Sequence, residues 1–172
     1  PECGFVDAVQ GAMDAGYTEP DPRIDLSGVD VQRKILILAR EAGYTMEMSD
    51  VDNPGFLPPA LMDGSVQGFL EGLPTAEEGM QARLTEAAAK GLQLRYVATF
   101  ERNAQGQPTA QVGLQALPPE HPFCQLQGSD NVVMLQTDRY ADRPLIVQGA
   151  GAGADVTAMG VFADIMRFAA TR

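Results

Sequence analysis

Between Tyr17 and Lys34 the sequence sets Glu19, Asp21, Arg23, Asp25, Asp30, Arg33 and Lys34. That is more charge than one loop and one helical turn can hide. Asp30 and Lys34 are four residues apart and share one face of the helix predicted there. Carboxylates gathered around a single lysine suit a substrate that carries an ammonium group and a reducible carbonyl. The carboxylates would bind the ammonium, and the lysine would protonate the oxygen that becomes an alkoxide. The same spacing also fits a plain surface ion pair beside a solvated loop, a contact of only about 0.3 kcal/mol. Pro20 and Pro22 should exclude regular helix from the segment Tyr17 to Asp25 and leave a stiff polar loop. Such stiffness is useful where side chains are held for a ligand.

A second cluster is Gly149-Ala-Gly-Ala-Gly153-Ala154, between an apolar strand pattern and a helix pattern. It satisfies G-x-G-x-x-A, a weak dinucleotide fingerprint on its own. A Rossmann unit needs a further strand ending in Asp or Glu about 20 residues later, whereas the sequence closes at Arg172, so a complete nucleotide-binding domain is not expected. A glycine turn at a helix N-terminus still permits close backbone approach and offers N–H groups. A tight strand-to-helix turn is the competing reading.

The other reactive residue types carry less. His121, the only histidine, lies between Glu120 and Pro122 with no serine or cysteine motif to serve as a nucleophile, and reads as structural. Met46, Met48, Met62, Met80, Met134, Met159 and Met166 fit apolar faces. Cys3 and Cys124 lack metal-ligand spacing, so no metal site is expected.

The elements that must position these residues can be read from periodicity. Phe5, Val9, Ala12 and Met13 form one helix face, with Gly16 as a stop. Ser27 is a plausible N-cap for a helix whose buried stripe is Val31, Ile35, Leu38 and Ala39, ending near Gly43. Tyr44 to Met48 alternates like a strand. Helices are expected from Asp63 to Leu73 and from Thr75 to Lys90, the latter with a capping box of Thr75 and Glu78. Leu92 to Arg102 and Pro108 to Leu117 read as a hairpin turning at Asn103 to Gln107. Strands at Asn131 to Thr137 and Pro144 to Gln148 then lead to the glycine turn and a closing helix. Helices first and strands second favour an α+β fold, a mixed, largely antiparallel sheet covered on one face by helices.

Composition sets the outer limits. The chain has 172 residues, 12 basic and 23 acidic, for a net charge of −11. That length fits one domain spanning residues 1–172. An acidic chain without a basic, aromatic-studded cluster is not a nucleic-acid binder. No apolar stretch approaches the roughly 20 residues of a membrane span. Two cysteines in a chain large enough to fold without disulfides point to a reducing compartment, the cytoplasm by default. The sequence starts at Pro1 with no signal-peptide pattern, which suggests a piece cut from something longer.

Two strings go further. Gly16-Tyr-Thr-Glu-Pro-Asp-Pro-Arg23 followed by Asp25-Leu-Ser-Gly-Val-Asp-Val-Gln-Arg-Lys34-Ile-Leu-Ile-Leu-Ala-Arg40 resembles the signature of homoserine dehydrogenase. Arg139 to Asp164, which contains the glycine run, resembles the closing segment of the same family, particularly of the bifunctional aspartokinase/homoserine dehydrogenases. The resemblance implies reduction of L-aspartate 4-semialdehyde to L-homoserine with NADPH or NADH, on the route to threonine and methionine. It also implies a preceding nucleotide-binding half that is not in this sequence, without which the domain should be inactive, and a homodimer formed through the sheet. Position by position, Lys34 resembles the proton donor to the aldehyde oxygen. Glu19 resembles the residue that holds the substrate, while Tyr17, Asp25 and Asp30 line the same pocket and orient the amino group and the lysine. Gly153, with Gly151 and Thr157, resembles the loop that reaches the nicotinamide and ribose end of the cofactor. The sequence departs from the family at Ile24, where an acidic residue is usual; Ile24 is expected to point away from the substrate. A non-catalytic amino-acid-binding module and a dimerisation domain are the alternatives.

Overall fold

Helix α1, Phe5–Asp14, buries Val9 and begins at Gly4, which brings no capping side chain. Its first amides are satisfied from elsewhere in the chain: the Glu77 carboxylate accepts from the N–H groups of Phe5 and Val6, each at 2.9 Å. The computed structural model describes residues 3–128, 130–151 and 153–171. Pro1, Glu2, Ser129, Ala152 and Arg172 lie outside them, so the start of the chain and one residue of the glycine turn are not described. The described residues fall into two units, 1–118 and 119–172.

In the first unit α1 is followed by α2 (Pro22–Leu26) and α3 (Val29–Glu41). The loop expected through Asp25 is therefore partly helical. Pro22 sits in the first turn of α2, where its missing N–H breaks no hydrogen bond and its fixed φ suits a helix. Ser27 serves both helices: its hydroxyl donates to the Ile24 carbonyl at 2.7 Å, closing α2, and accepts from the Val29 N–H at 3.3 Å at the start of α3, although Gly28 rather than Ser27 is the residue directly before that helix. Gly28, at φ +72°, turns the chain into α3.

After α3, residues 44–47 form no strand. Arg40 Nε donates to the Met46 carbonyl at 2.9 Å, taking an acceptor that a sheet ladder would have needed. The strand comes later, as β1 (Val51–Asp52). The helix expected from Asp63 starts three residues later, as α5 (Val66–Gly72), and is preceded by a short helix that was not expected, α4 (Pro59–Met62), with Gly64 at φ +84° between them. Ser65 caps α5 by accepting from the Gly68 N–H at 3.0 Å. The capping box of Thr75 and Glu78 does not form. Pro74 belongs to a 3-10 turn over Leu73–Ala76, the Thr75 hydroxyl bonds back to the Gly72 carbonyl, and α6 starts later, at Glu77–Ala89.

The hairpin forms over the expected segments. β2 (Gln93–Arg102) runs antiparallel to β3 (Pro108–Leu117), from Gln93 opposite Leu117 to Arg102 opposite Pro108. Asn103 shapes the turn by accepting from the N–H groups of Gln105 and Gln107 at 3.0 and 2.9 Å. β1 adds to β3 in parallel, giving the mixed order β1-β3-β2. One face carries Tyr96, Ala98, Phe100, Ala110 and Val112 and packs on Ile35, Leu36 and Ala39 of α3. The opposite row, Arg95, Thr99, Gln111 and Gln115, is polar apart from Val97. This is the one-face coverage expected of the fold. A second core joins Val9, Leu57, Phe69, Leu73 and Ala76 among the helices.

The second unit holds β4 (Asp130–Leu135) and β5 (Leu145–Ala150), paired antiparallel, and α7 (Ala154–Ala170). The strands thus form two sheets among the described residues, one mixed and one antiparallel. β5 continues two residues past the expected Gln148, into the first part of the glycine run. Leu145, Ile146, Val147, Phe162, Ile165 and Phe168 are all exposed.

Candidate functional site

The charged segment is held in place by its own side chains. Asp21 caps α2 by accepting from the Arg23 N–H at 3.1 Å, and takes Arg23 Nε at 2.9 Å and Nη2 at 2.6 Å. The hydrogen-bonded guanidinium holds the Asp21 carboxyl below the usual carboxylate range, and Asp21 in turn raises Arg23. Arg23 Nη1 also donates to the Met62 and Gly64 carbonyls at 3.2 and 2.8 Å, which ties α2 to the α4–α5 connection. Asp25 accepts from the Glu19 N–H at 3.0 Å and so folds residues 19–25 back on themselves. Asp25 thus fastens the loop, a part its expected pocket role did not include.

Lys34 and Asp30 form an ion pair at 2.7 Å one turn apart on α3, with side chains 54% and 56% exposed. Tyr17 is 78% exposed, and the Glu19 side chain and Ile24 also stand at the surface. The structure therefore pairs Lys34 with Asp30 and links Glu19 to Asp25. It leaves the Glu19 carboxylate and the Tyr17 phenol open to solvent.

The opposite face of α3 is as constrained as this face is open. Gln32, only 9% exposed, donates from Nε2 to the Met48 and Val51 carbonyls at 2.9 and 3.2 Å. Its Oε1 accepts from Asn53 Nδ2 at 3.2 Å, and the same Nδ2 donates to the Ser27 carbonyl at 2.9 Å. Tyr96 donates its hydroxyl to Asn53 Oδ1 at 3.4 Å, and burial pushes that phenol's pKa up. A Cβ on Gly28 would fall on the Tyr96 hydroxyl. In the sequence Asn53 has the pattern of a turn residue, and nothing there marks Tyr96. The available signal was a glutamine inside the apolar stripe of Val31 and Ile35.

Gly151, Gly153 and Thr157 belong to the second unit. A Cβ on Gly151 would fall on the Asn131 amide, whereas one on Gly153, at φ +127°, would meet open space. Thr157 closes the first turn of α7, its N–H donating to the Gly153 carbonyl at 3.1 Å. Gly151 thus has a packing reason to be glycine, and Gly153 a backbone reason together with room for a neighbour. His121 caps a turn, its Nδ1 accepting from the Phe123 N–H at 3.1 Å. Among the described residues no cluster of His, Cys, Asp or Glu could hold a metal ion, and no helix is long and apolar enough to cross a membrane.

An α+β chain with a one-sided mixed sheet and an exposed Lys–Asp pair defines a class that comparison with known proteins makes specific. The family model described as homoserine dehydrogenase matches residues 2–166. The chain is 47% identical over 167 residues to the Zea mays chloroplastic bifunctional aspartokinase/homoserine dehydrogenase 2, covering 96% of this chain and 18% of that one. It is 44% identical over 161 residues to a Paracoccidioides brasiliensis homoserine dehydrogenase, covering 92% and 42% respectively. A crystal structure of a Candida auris protein of unknown function superposes with a TM-score of 0.88 at 43% identity, covering 98% of this chain and 47% of that one. Staphylococcus aureus homoserine dehydrogenase, at 20% identity and a TM-score of 0.74 with 99% and 38% covered, shares the fold. This chain belongs to the homoserine dehydrogenase family, a family of oxidoreductases of amino-acid biosynthesis. It spans about a fifth of the bifunctional relatives and less than half of the monofunctional one.

Proposed function

We propose that the chain is the substrate-binding and catalytic domain of a homoserine dehydrogenase that reduces L-aspartate 4-semialdehyde to L-homoserine, on the route to threonine and methionine. The observation that carries this reading is the Lys34–Asp30 pair: an ammonium within 2.7 Å of a carboxylate, open to solvent, on a helix whose other face is fastened to the sheet. Lys34 Nζ gives its proton to the aldehyde oxygen as that oxygen becomes the alcohol, and Asp30 holds the ammonium in its direction. Glu19 takes the substrate's amino group, Tyr17 flanks it, and Asp25 acts by holding the Glu19 backbone. When bound, a reduced nicotinamide dinucleotide, NADPH or NADH, supplies the hydride, and the open backbone at Gly153, with Gly151 and Thr157, fits contact with its nicotinamide–ribose end. Most of that cofactor's binding surface belongs to a nucleotide-binding half beyond residues 1–172, so this domain alone should show no turnover.

A homodimer formed through the sheet is part of the proposal, supported by the exposed Leu145, Ile146 and Val147 on β5. Light scattering on the full-length protein tests it. The two cysteines, Cys3 exposed and Cys124 half-buried, are not disulfide-bonded and suit a reducing compartment such as the cytoplasm. The deciding experiment is Lys34→Ala in the full-length enzyme. Removing a general acid should lower kcat by about 10²–10⁴-fold and leave cofactor affinity intact. Near-normal turnover would overturn the assignment.

A further inference from the structure

We infer that Asn53 is a positioning residue for the Lys34–Asp30 pair, acting through Gln32 and the first turns of α3; the inference rests on the catalytic role proposed for Lys34. Gly28 begins α3 in a left-handed conformation and brings no side chain to cap it. The Ser27 hydroxyl accepts from the Val29 N–H at 3.3 Å, so the helix starts and turns in one place only if Ser27 and the first turn are themselves held. Asn53 holds both with a single amide group: Nδ2 donates to the Ser27 carbonyl, at the α2–α3 junction, and to Gln32 Oε1, one turn into the helix. Its Oδ1 faces the Tyr96 hydroxyl on β2 and the Gly55 N–H, each at 3.4 Å.

Gln32 completes the connection. It lies two residues after Asp30 and two before Lys34, about 200° round the helix from each, so it is buried where they are exposed. Its Nε2 reaches two carbonyls, Met48 and Val51, the second at the start of β1. Gln32 therefore sets the rotation of α3 against the sheet, and Asn53 sets Gln32. A helix free to fray or turn by a fraction of a residue would carry Lys34 Nζ away from the carbonyl oxygen it must protonate. Misplacement of a reacting group by about 1 Å can cost 10²-fold in rate. Asn53 itself touches no substrate, so its loss should appear in the chemical step rather than in binding.

The test is Asn53→Asp in the full-length enzyme, a substitution that keeps the shape and replaces the donor with an acceptor. The expected result is a fall in kcat of about 10-fold or more with KM for the semialdehyde and cofactor affinity within about 3-fold of wild type. Hydrogen exchange of the Gln32 N–H, bonded to the Gly28 carbonyl at 2.9 Å, should quicken while α6 stays protected. Combined with Lys34→Ala, Asn53→Asp should cost no further activity, because the group it positions is gone; a purely structural loss would multiply. Gln32→Met, which keeps the length and removes both donors, should give the same pattern, and it serves if Asn53→Asp does not fold. An unchanged kcat, unchanged exchange at Gln32 or multiplying losses overturns the inference and leaves the role of Lys34 standing. Normal turnover in Lys34→Ala alone overturns both.

Discussion

Gly28→Ala should be the most damaging single-methyl substitution in the charged segment, and the structure separates its two causes. At φ +72° an L-residue is strained by about 1–2 kcal/mol, partly offset by about 0.4–1 kcal/mol from a less flexible unfolded chain. The added Cβ would also fall on the Tyr96 hydroxyl and lie 2.8 Å from Cζ and 3.0 Å from Cε1. That ring is packed edge-on against Phe56 with centroids 5.5 Å apart and bonded to Asn53, so it cannot swing aside freely. Overpacking of this kind costs about 1–3 kcal/mol, which brings the expected loss to about 1–5 kcal/mol. Gly16 is the control: its φ is +70°, yet nothing lies within 4 Å of its Cβ position, so Gly16→Ala should show the strain alone. Hydrogen exchange over a urea series in the full-length protein, read on peptides covering residues 29–41, measures the difference. Adding Tyr96→Phe to Gly28→Ala should recover part of the loss, not all, because Cζ remains close. Equal losses at Gly16 and Gly28 would refute the packing argument.

What the sequence made legible follows from the range of each interaction. The hairpin and its turn depend on neighbours in sequence, alternating side chains and Asn103, and both were readable to within a residue. The charged segment was readable as a candidate because its charges exceed what a loop can bury, and α3 was readable from Ile35 and Ala39, although the helix buries Leu36 and exposes Leu38. The start of α3 was legible only in part, because the Ser27 hydroxyl donates to the Ile24 carbonyl and accepts from the Val29 N–H, while the position directly before the helix belongs to Gly28. Likewise Thr75 and Glu78 had the spacing of a capping box, but Pro74 drew the first turn into 3-10 geometry. Pro22 was misread because proline forbids the interior of a helix and favours its first turn. The amide of Asn53 was invisible for a different reason. Its partners Ser27, Gln32 and Tyr96 lie far off in sequence, and only the fold brings them to one side chain.

Three further outcomes are expected. Glu77→Ala leaves the Phe5 and Val6 amides without their carboxylate and should loosen α1 by about 1–2 kcal/mol, the scale of a lost N-cap; unchanged exchange over residues 5–14 would contradict that. Arg23→Ala frees the Met62 and Gly64 carbonyls and should speed proteolysis at residues 17–21 and 63–65. Because Asp21 is held below its unfolded value, its contribution is present above about pH 4 and lost as pH falls through the folded pKa. Wild type should therefore lose more stability there than Arg23→Ala does. Tyr96 has the opposite sign. Its folded pKa is raised by burial, so below about pH 10 both folded and unfolded chains keep the phenol neutral and nothing changes. Above that, the unfolded chain ionises first, and stability is lost as pH rises towards the folded pKa. Tyr96→Phe should start lower, having lost the Asn53 contact, yet fall less steeply above about pH 10. In an absorbance titration Tyr96→Phe should remove a component that ionises above the ordinary tyrosine range. Parallel alkaline loss in both proteins would show that the phenol is not held neutral over Gly28.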